Sequence, residues 1–345
     1  MTKIKKSFRS FCSTLSLSVL VTLTSSVISH QSMAAQIEKP QSPFQQYLIH
    51  QRTDAGLVSR TLQVGDVTWR YSEGGMKNKP TILLIHGLSG TRDNWNRVAK
   101  FLTPSYHIII PDLPTNGETK TPENFDVSIP NVTSQLRMLV EALNIDEKLN
   151  IAGHSLGGSI ATVYAAQYPF DTQSLFLLNS AGIYKGANTP YSKNPSRLKN
   201  LIVTKPGDLA EVSKQLMQNP PDMPFPLKHA QEKLLISKSE QSLKAIDQVV
   251  MLSRLYTPES FARLTKSIEA PTLILWGKQD RIFNVEVAKE LYSLLKRPET
   301  PIILNNVGHM PILEAEEQVA QYYLPFLAKT QTLKNPLADK LIPLN

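Results

Sequence analysis

Apolar and polar positions along the chain fall into two periods, and the periods alternate. Runs of consecutive apolar residues occur at 81–87 (TILLIHG), 106–113 (YHIIIPDL), 149–154 (LNIAGH) and 174–182 (SLFLLNSAG). Each is short, and each is rich in β-branched residues or leucine, the pattern of a strand buried on both faces. Between them the spacing changes to that of a helix. Residues 93–102 and 129–143 carry one apolar stripe each; in the second it is Val132, Leu136, Leu139, Val140 and Leu143. The small-residue run 156–169 is a third helix. Strand and helix in alternation predict a mostly parallel sheet with helices on both sides.

The alternation stops at 183–265. No apolar strand run occurs there, the stretch 219–226 (NPPDMPFP) is dense in proline, and 227–239 has a helical pattern. Strands and helices resume at 271–280, 286–296, 300–309 and 314–327. The pattern predicts a core of residues 36–182 and 266–328, interrupted by a helical insertion at 183–265 that covers one end of the sheet. Ahead of the regular part, 36–60 predicts a short surface helix, and 62–75 an edge strand pair. A tail without pattern, 329–345, closes the chain.

Residues 1–35 differ from the rest. Lys3, Lys5, Lys6 and Arg9 come with no acidic residue. An apolar stretch diluted by Ser and Thr comes next, and then SMAAQ. This order predicts an export signal peptide cut near Ala34 or Ala35. The alternative is an uncleaved membrane anchor, for which the stretch is too polar. Removing those four cations from the formal +8 leaves about +4, which does not suggest nucleic-acid binding. It also removes Cys12, the only cysteine, so neither a disulfide nor thiol chemistry is expected in the mature chain.

The candidate chemistry lies at strand ends. The stretch GHSLGG (153–158) follows one predicted strand and begins the next helix, the context a G-x-S-x-G nucleophile turn requires. Ser155 is the expected nucleophile, with Gly153 and Gly157 flanking it where a side chain would collide with neighbouring backbone. A serine hydroxyl needs a base. Two later strand ends supply one and its partner: LILWGKQD ends at Asp280, and IILNNVGH at His309. His309 would take the Ser155 proton, and Asp280 would hold the imidazole. A tetrahedral intermediate needs backbone donors. Gly87 is expected to turn the chain so that the Leu88 N–H faces the site, and the Leu156 N–H begins the helix after the nucleophile. His86 and His154 are expected to hold loops. Ser89 and Ser159 lack the elbow context, and no histidine pair has metal-binding spacing.

HGLSGTRDNWNRVA, IIPDLP, GHSLGG, LWGKQD and VGHMPILEAEEQV together resemble the α/β-hydrolase superfamily over roughly residues 62–327. Within it, the run at 90–95 and the helical insertion are similar to bacterial lipases related to monoacylglycerol lipases. The resemblance implies an α/β-hydrolase fold with a cap between its sixth and seventh strands. It implies Ser155, Asp280 and His309 as triad and Leu88 and Leu156 as oxyanion donors. One departure is the loop TNGET (115–119), where many relatives have Gly-Phe/His-Gly after DLP. Apolar cap residues (201–203, Leu216, Met217, Met223, Phe225 and 234–236) are expected either to line an acyl cleft or to pack the cap. The expectation is an exported serine carboxylester hydrolase acting on lipid or other apolar esters, with transient contact with lipid surfaces. It needs no metal, no organic cofactor and no obligate protein partner. The alternatives are a serine hydrolase of carbon–carbon bonds or amides, and a binding protein that has kept the fold.

Overall fold

The computed structural model describes residues 40–114 and 116–332. The whole of the expected leader, 1–35, and the end of the tail lie outside these residues. Ser42 and Pro43 start the first helix, α1 (Pro43–Asp54); the Ser42 hydroxyl accepts from the Gln45 N–H at 3.2 Å, and proline at the first position loses no hydrogen bond. The strands are β1 (Leu57–Val64), β2 (Val67–Gly74), β3 (Thr81–Ile85), β4 (His107–Pro111), β5 (Leu149–His154), β6 (Thr172–Leu178), β7 (Thr272–Gly277) and β8 (Ile302–Leu304). They form one sheet in the order β1-β2-β4-β3-β5-β6-β7-β8. The β1/β2 and β2/β4 pairs are antiparallel, and the other pairs are parallel.

The strand β3 shows why the apolar runs have no polar alternation. Ile82 and Leu84 point into one core and Leu83 and Ile85 into the other, all four inaccessible to solvent. At roughly 2 kcal/mol for each such side chain, this strand is fixed by burial on both faces. Of the helices, α2 (Asn96–Leu102), α3 (Ile129–Ala142) and α4 (Leu156–Gln167) lie between these strands in sequence. Packed against Ile82 and Leu84 are Val98 and Leu102 of α2, while Leu136 of α3 and Ile160 of α4 share the core of Leu83. Between β6 and β7 the chain is helical throughout its regular elements: α5 (Pro190–Lys193), a 3-10 turn (Pro195–Leu201), α6 (Asp208–Leu216), α7 (Phe225–Ser237), α8 (Ser239–Leu255) and α9 (Pro258–Lys266). Phe261 of α9 is fully buried in the core that contains α4, and Val249 and Leu252 of α8 belong to the same core. After β7 come α10 (Glu286–Leu294), α11 (Pro311–Glu314) and α12 (Glu316–Gln331). The last helix passes the expected core boundary at 328, because Thr330 is still buried. Among the described residues no helix is long and apolar enough to cross a membrane.

The base of the sheet carries a buried carboxylate. Glu73 accepts from His107 Nε2 at 3.1 Å and pairs with Lys77 and Arg60, each at 3.1 Å. Burial alone would raise its pKa, but hydrogen bonds from His107 and Lys77 outweigh that and hold it at about 2, from an ordinary 4.5. A carboxyl lowered on folding stabilises the protein above its unfolded pKa and stops doing so as pH falls through the folded one. The melting-temperature advantage of the native chain over Glu73→Gln should therefore be full at neutral pH and shrink between pH 4.5 and about 2. A difference independent of pH would remove the ion pairing from the account.

Candidate active site

Ser155 occupies the step from β5 to α4 with φ 52° and ψ −121°. A residue with a side chain rarely takes that conformation, which costs about 1–3 kcal/mol and must be held by its surroundings. The Ser155 N–H donates to Leu178 O at 3.1 Å, and its carbonyl accepts from Gly158 N at 2.8 Å and Ala181 N at 2.9 Å. The flanking glycines permit close backbone approach. A Cβ on Gly153 would stand 2.2 Å from Gly157 O, and one on Gly157 2.3 Å from Ile85 O.

Three distant segments meet here. His309 Nε2 lies 2.9 Å from Ser155 Oγ, and His309 Nδ1 lies 2.9 Å from Asp280 Oδ2. All three side chains are buried. The second carboxylate oxygen of Asp280 accepts from the Ile282 N–H at 2.7 Å and the Phe283 N–H at 3.0 Å. A carboxylate so held accepts the Nδ1 proton and leaves Nε2 free to take one from the hydroxyl.

Asn179, which the sequence reading does not single out, completes the support. It sits just past the end of β6 with φ 42°. Its Nδ2 donates to Asp280 Oδ2 at 2.7 Å and to Gly308 O at 3.2 Å, and its Oδ1 accepts from Gly277 N at 3.2 Å. One amide thus ties the acid, the strand that carries it and the loop that carries the histidine. The local signal is weak: an asparagine after an apolar run reads as a turn residue.

His154 Nε2 lies 2.7 Å from His309 O, so this nitrogen carries the proton and donates. Burial, reinforced by the charge of a protonated His309, pushes His154 down to about 3 and keeps it neutral. His86 Nδ1 donates to Gly87 O at 2.8 Å, and its Nε2 accepts from the Leu113 N–H at 3.0 Å. Burial lowers its pKa as well. Both histidines hold loops, as expected.

Gly87 begins a turn closed by Gly90 N donating to Gly87 O at 3.1 Å, within which Ser89 takes the left-handed conformation with φ 54°. Gly87 is small because an added Cβ would come 3.0 Å from Ser155 Cβ. The next segment is pinned from below. Asp112 accepts from the Arg92 N–H at 2.7 Å and pairs with its guanidinium, and Gly117 wraps the carboxylate, with φ 56°. Burial disfavours the Arg92 charge, but Asp112, Asp93 and Glu118 more than offset that. The loop that departs from the family pattern therefore delivers Glu118 to Arg92 at 2.8 Å.

A cavity of about 200 Å³ opens beside Ser155 and is lined by Leu88 and Leu156. Leu156 is the first residue of α4, so its N–H has no carbonyl within the helix to bind. The segment between β6 and β7 contributes Leu201, Ile202, Val203, Leu216, Met217 and Leu235 to the wall. Of the other apolar residues in that segment, Ile236 packs with Val203 and Leu209, and Phe225 is 77% exposed. Among the described residues no group of three or more His, Cys, Asp or Glu is placed to hold a metal ion.

Known proteins share this chain's pattern. Lipase 1 of Psychrobacter immobilis is 31% identical over 277 residues, 80% of this chain and 85% of that protein. Monoacylglycerol lipase ABHD6 of Homo sapiens is 28% identical over 311 residues, 84% of this chain and 88% of its own length. The crystal structure of a provisionally assigned lipase (lip1) from Acinetobacter baumannii AYE is 57% identical. It superposes with a TM-score of 0.82, covering 86% of this chain and 99% of that one. The model of the α/β hydrolase fold family matches residues 80–316, and the chain belongs to that family.

Proposed function

We propose that the protein is a serine carboxylester hydrolase of lipase type that cleaves lipid esters through an acyl-serine intermediate. The observation that carries this is the hydrogen-bonded line from Ser155 through His309 to Asp280, opening on an apolar cavity. Ser155 Oγ attacks the ester carbonyl carbon while its proton passes to His309 Nε2. The carbonyl oxygen becomes an oxyanion, which the Leu88 and Leu156 N–H groups receive; the start of α4 adds its dipole. The carbon–oxygen bond to the alcohol then breaks, and His309 returns the proton to the leaving oxygen. Water, deprotonated by the same imidazole, attacks the acyl carbon. The acid leaves, and Ser155 regains its proton. Asp280 stays ionised throughout and offsets the imidazolium charge.

Residues 183–265 act as a cap whose inner face holds the acyl chain. The wall that Leu201, Val203 and Leu216 give the cavity supports that reading. Phe225, exposed at the start of α7 and stacked on His229, supports transient contact with a lipid surface. The charge and apolar pattern of residues 1–35 supports export.

A substrate panel tests the reaction class. The purified mature protein should hydrolyse p-nitrophenyl esters of apolar acids, with kcat/KM rising as the acyl chain fills the cavity. A ring-cleavage dienoate and an aminoacyl amide should be much poorer substrates. Higher kcat/KM on either of these than on every ester would replace this function with carbon–carbon or amide hydrolysis.

A further inference from the structure

Helix α6 ends at Leu216, in the wall of the cavity beside Ser155. The last carbonyls of a helix find no N–H within it. Here the loops that carry the acid and the base supply donors. The backbone N–H of His309 donates to Leu216 O at 2.7 Å. Arg281, next to Asp280 in the chain, donates through Nη1 to Lys214 O at 3.0 Å and through Nη2 to Gln218 Oε1 at 2.6 Å. A cation at that end also complements the helix dipole. The approach is close: a Cβ on Gly308 would stand 2.8 Å from both Leu216 O and Gln218 N.

Glu314 joins the two sides. Its Oε2 accepts from the Gln218 N–H at 2.7 Å and the Asn219 N–H at 3.0 Å. Its Oε1 accepts from the Met310 N–H at 3.2 Å, and the Gly308 N–H lies 3.0 Å from both oxygens. One side chain therefore holds the residues before and after His309 and also the chain just past α6. Leu216 and Met217 lie between these attachments and line the cavity. The wall beside the nucleophile and the backbone that carries the base are thus one hydrogen-bonded piece.

We propose that Glu314 is a positioning residue that sets how long an acyl chain can be turned over at full rate. It braces residues 216–219, so that a chain pressing on Leu216 and Met217 does not displace His309 from Ser155. Without the brace, a push on that wall passes through the Leu216 carbonyl to the His309 backbone. A short acyl group leaves the wall alone, and the imidazole keeps its place. A long one moves both. The same imidazole serves acylation and deacylation while the chain is in place, so kcat falls whichever step limits it. This inference rests on reading the cavity as the acyl site of an ester hydrolase.

The test measures kcat and KM for p-nitrophenyl acetate and p-nitrophenyl octanoate with the native protein, Glu314→Gln and Arg281→Met. A glutamine has one accepting oxygen. Its NH₂ faces N–H groups on whichever side it is turned to, so one attachment is lost. A misplacement of about 1 Å can cost about 10²-fold in rate, and a partial shift is expected to cost about tenfold. Glu314→Gln should therefore lower kcat on the octanoate about tenfold and leave kcat on the acetate within about twofold. Arg281→Met, at an exposed position on the acid side, should shift the octanoate-to-acetate kcat ratio in the same direction by less. If Glu314→Gln does not fold, the Arg281 variant decides. Equal losses on the two esters would make Glu314 a support of the loop alone and overturn the proposal. So would an unchanged ratio in a folded variant, or a loss confined to KM. A native protein that cleaves the acetate but not the octanoate would overturn the acyl-site reading and the brace with it. A native protein that cleaves neither would instead strike the ester-hydrolase reading itself.

Discussion

Ser155→Ala turns over p-nitrophenyl esters about 10⁶-fold more slowly than the native protein, by analogy with other serine triads. The size reflects what is lost and what stays. Alanine removes the nucleophile, so His309 has no proton to take and no acyl-enzyme forms. The N–H groups of Leu88 and Leu156 remain, so catalysis above the uncatalysed rate persists at roughly 10³–10⁴-fold. Burial at the elbow favours a correctly folded variant, since the change deletes one oxygen and leaves the Gly153 and Gly157 contacts as they are. A fluorophosphonate probe should label the native protein and not the variant. Near-normal ester turnover by folded Ser155→Ala would end the assignment.

The second large effect comes from Asp280→Asn, with a loss of about 10⁴-fold in kcat. The reason lies in which atoms face the new amide. One oxygen of Asp280 receives the backbone N–H groups of Ile282 and Phe283, and the other receives His309 Nδ1 and Asn179 Nδ2. An asparagine must keep its oxygen toward the two backbone donors. Its NH₂ then faces His309 Nδ1, and that nitrogen can only accept. The imidazole shifts its proton to Nε2, where it points at Ser155 and blocks proton transfer. The NH₂ also confronts the Nδ2 group of Asn179, so the side chain that supports the native acid opposes the substitute. Asp280→Asn should therefore recover activity in part at high pH, where hydroxide can remove the blocking proton. A loss of less than tenfold would mean that His309 is oriented chiefly by something else.

Much of this was legible in the sequence because it is local. TILLI and LNIAGH have no polar alternation, and they are strands buried on both faces. GHSLGG fixes a turn within six residues. Other features depend on contacts between distant parts of the chain. Asn179 reaches across 101 positions to Asp280, and nothing beside it in sequence marks that bond. The reason for Gly87 lies in the Cβ of Ser155, and the left-handed turn falls one residue further on than Leu88, at Ser89. Nothing in the local pattern of 183–265 marks which helices reach the core, yet Val249 and Leu252 of α8 and Phe261 of α9 are buried in it. The apolar cap residues could not be sorted by hydrophobicity alone. Val203 and Phe225 differ in fate because one faces inward and the other outward.

The order of the chain has a consequence for the cell that makes it. Ser155 is synthesised near the middle, whereas Asp280 follows β7 and His309 follows β8. A ribosome-bound polypeptide that ends short of β7 thus carries a hydroxyl with neither base nor counter-ion. Proton transfer from that hydroxyl to an imidazole waits until β7 and β8 have docked.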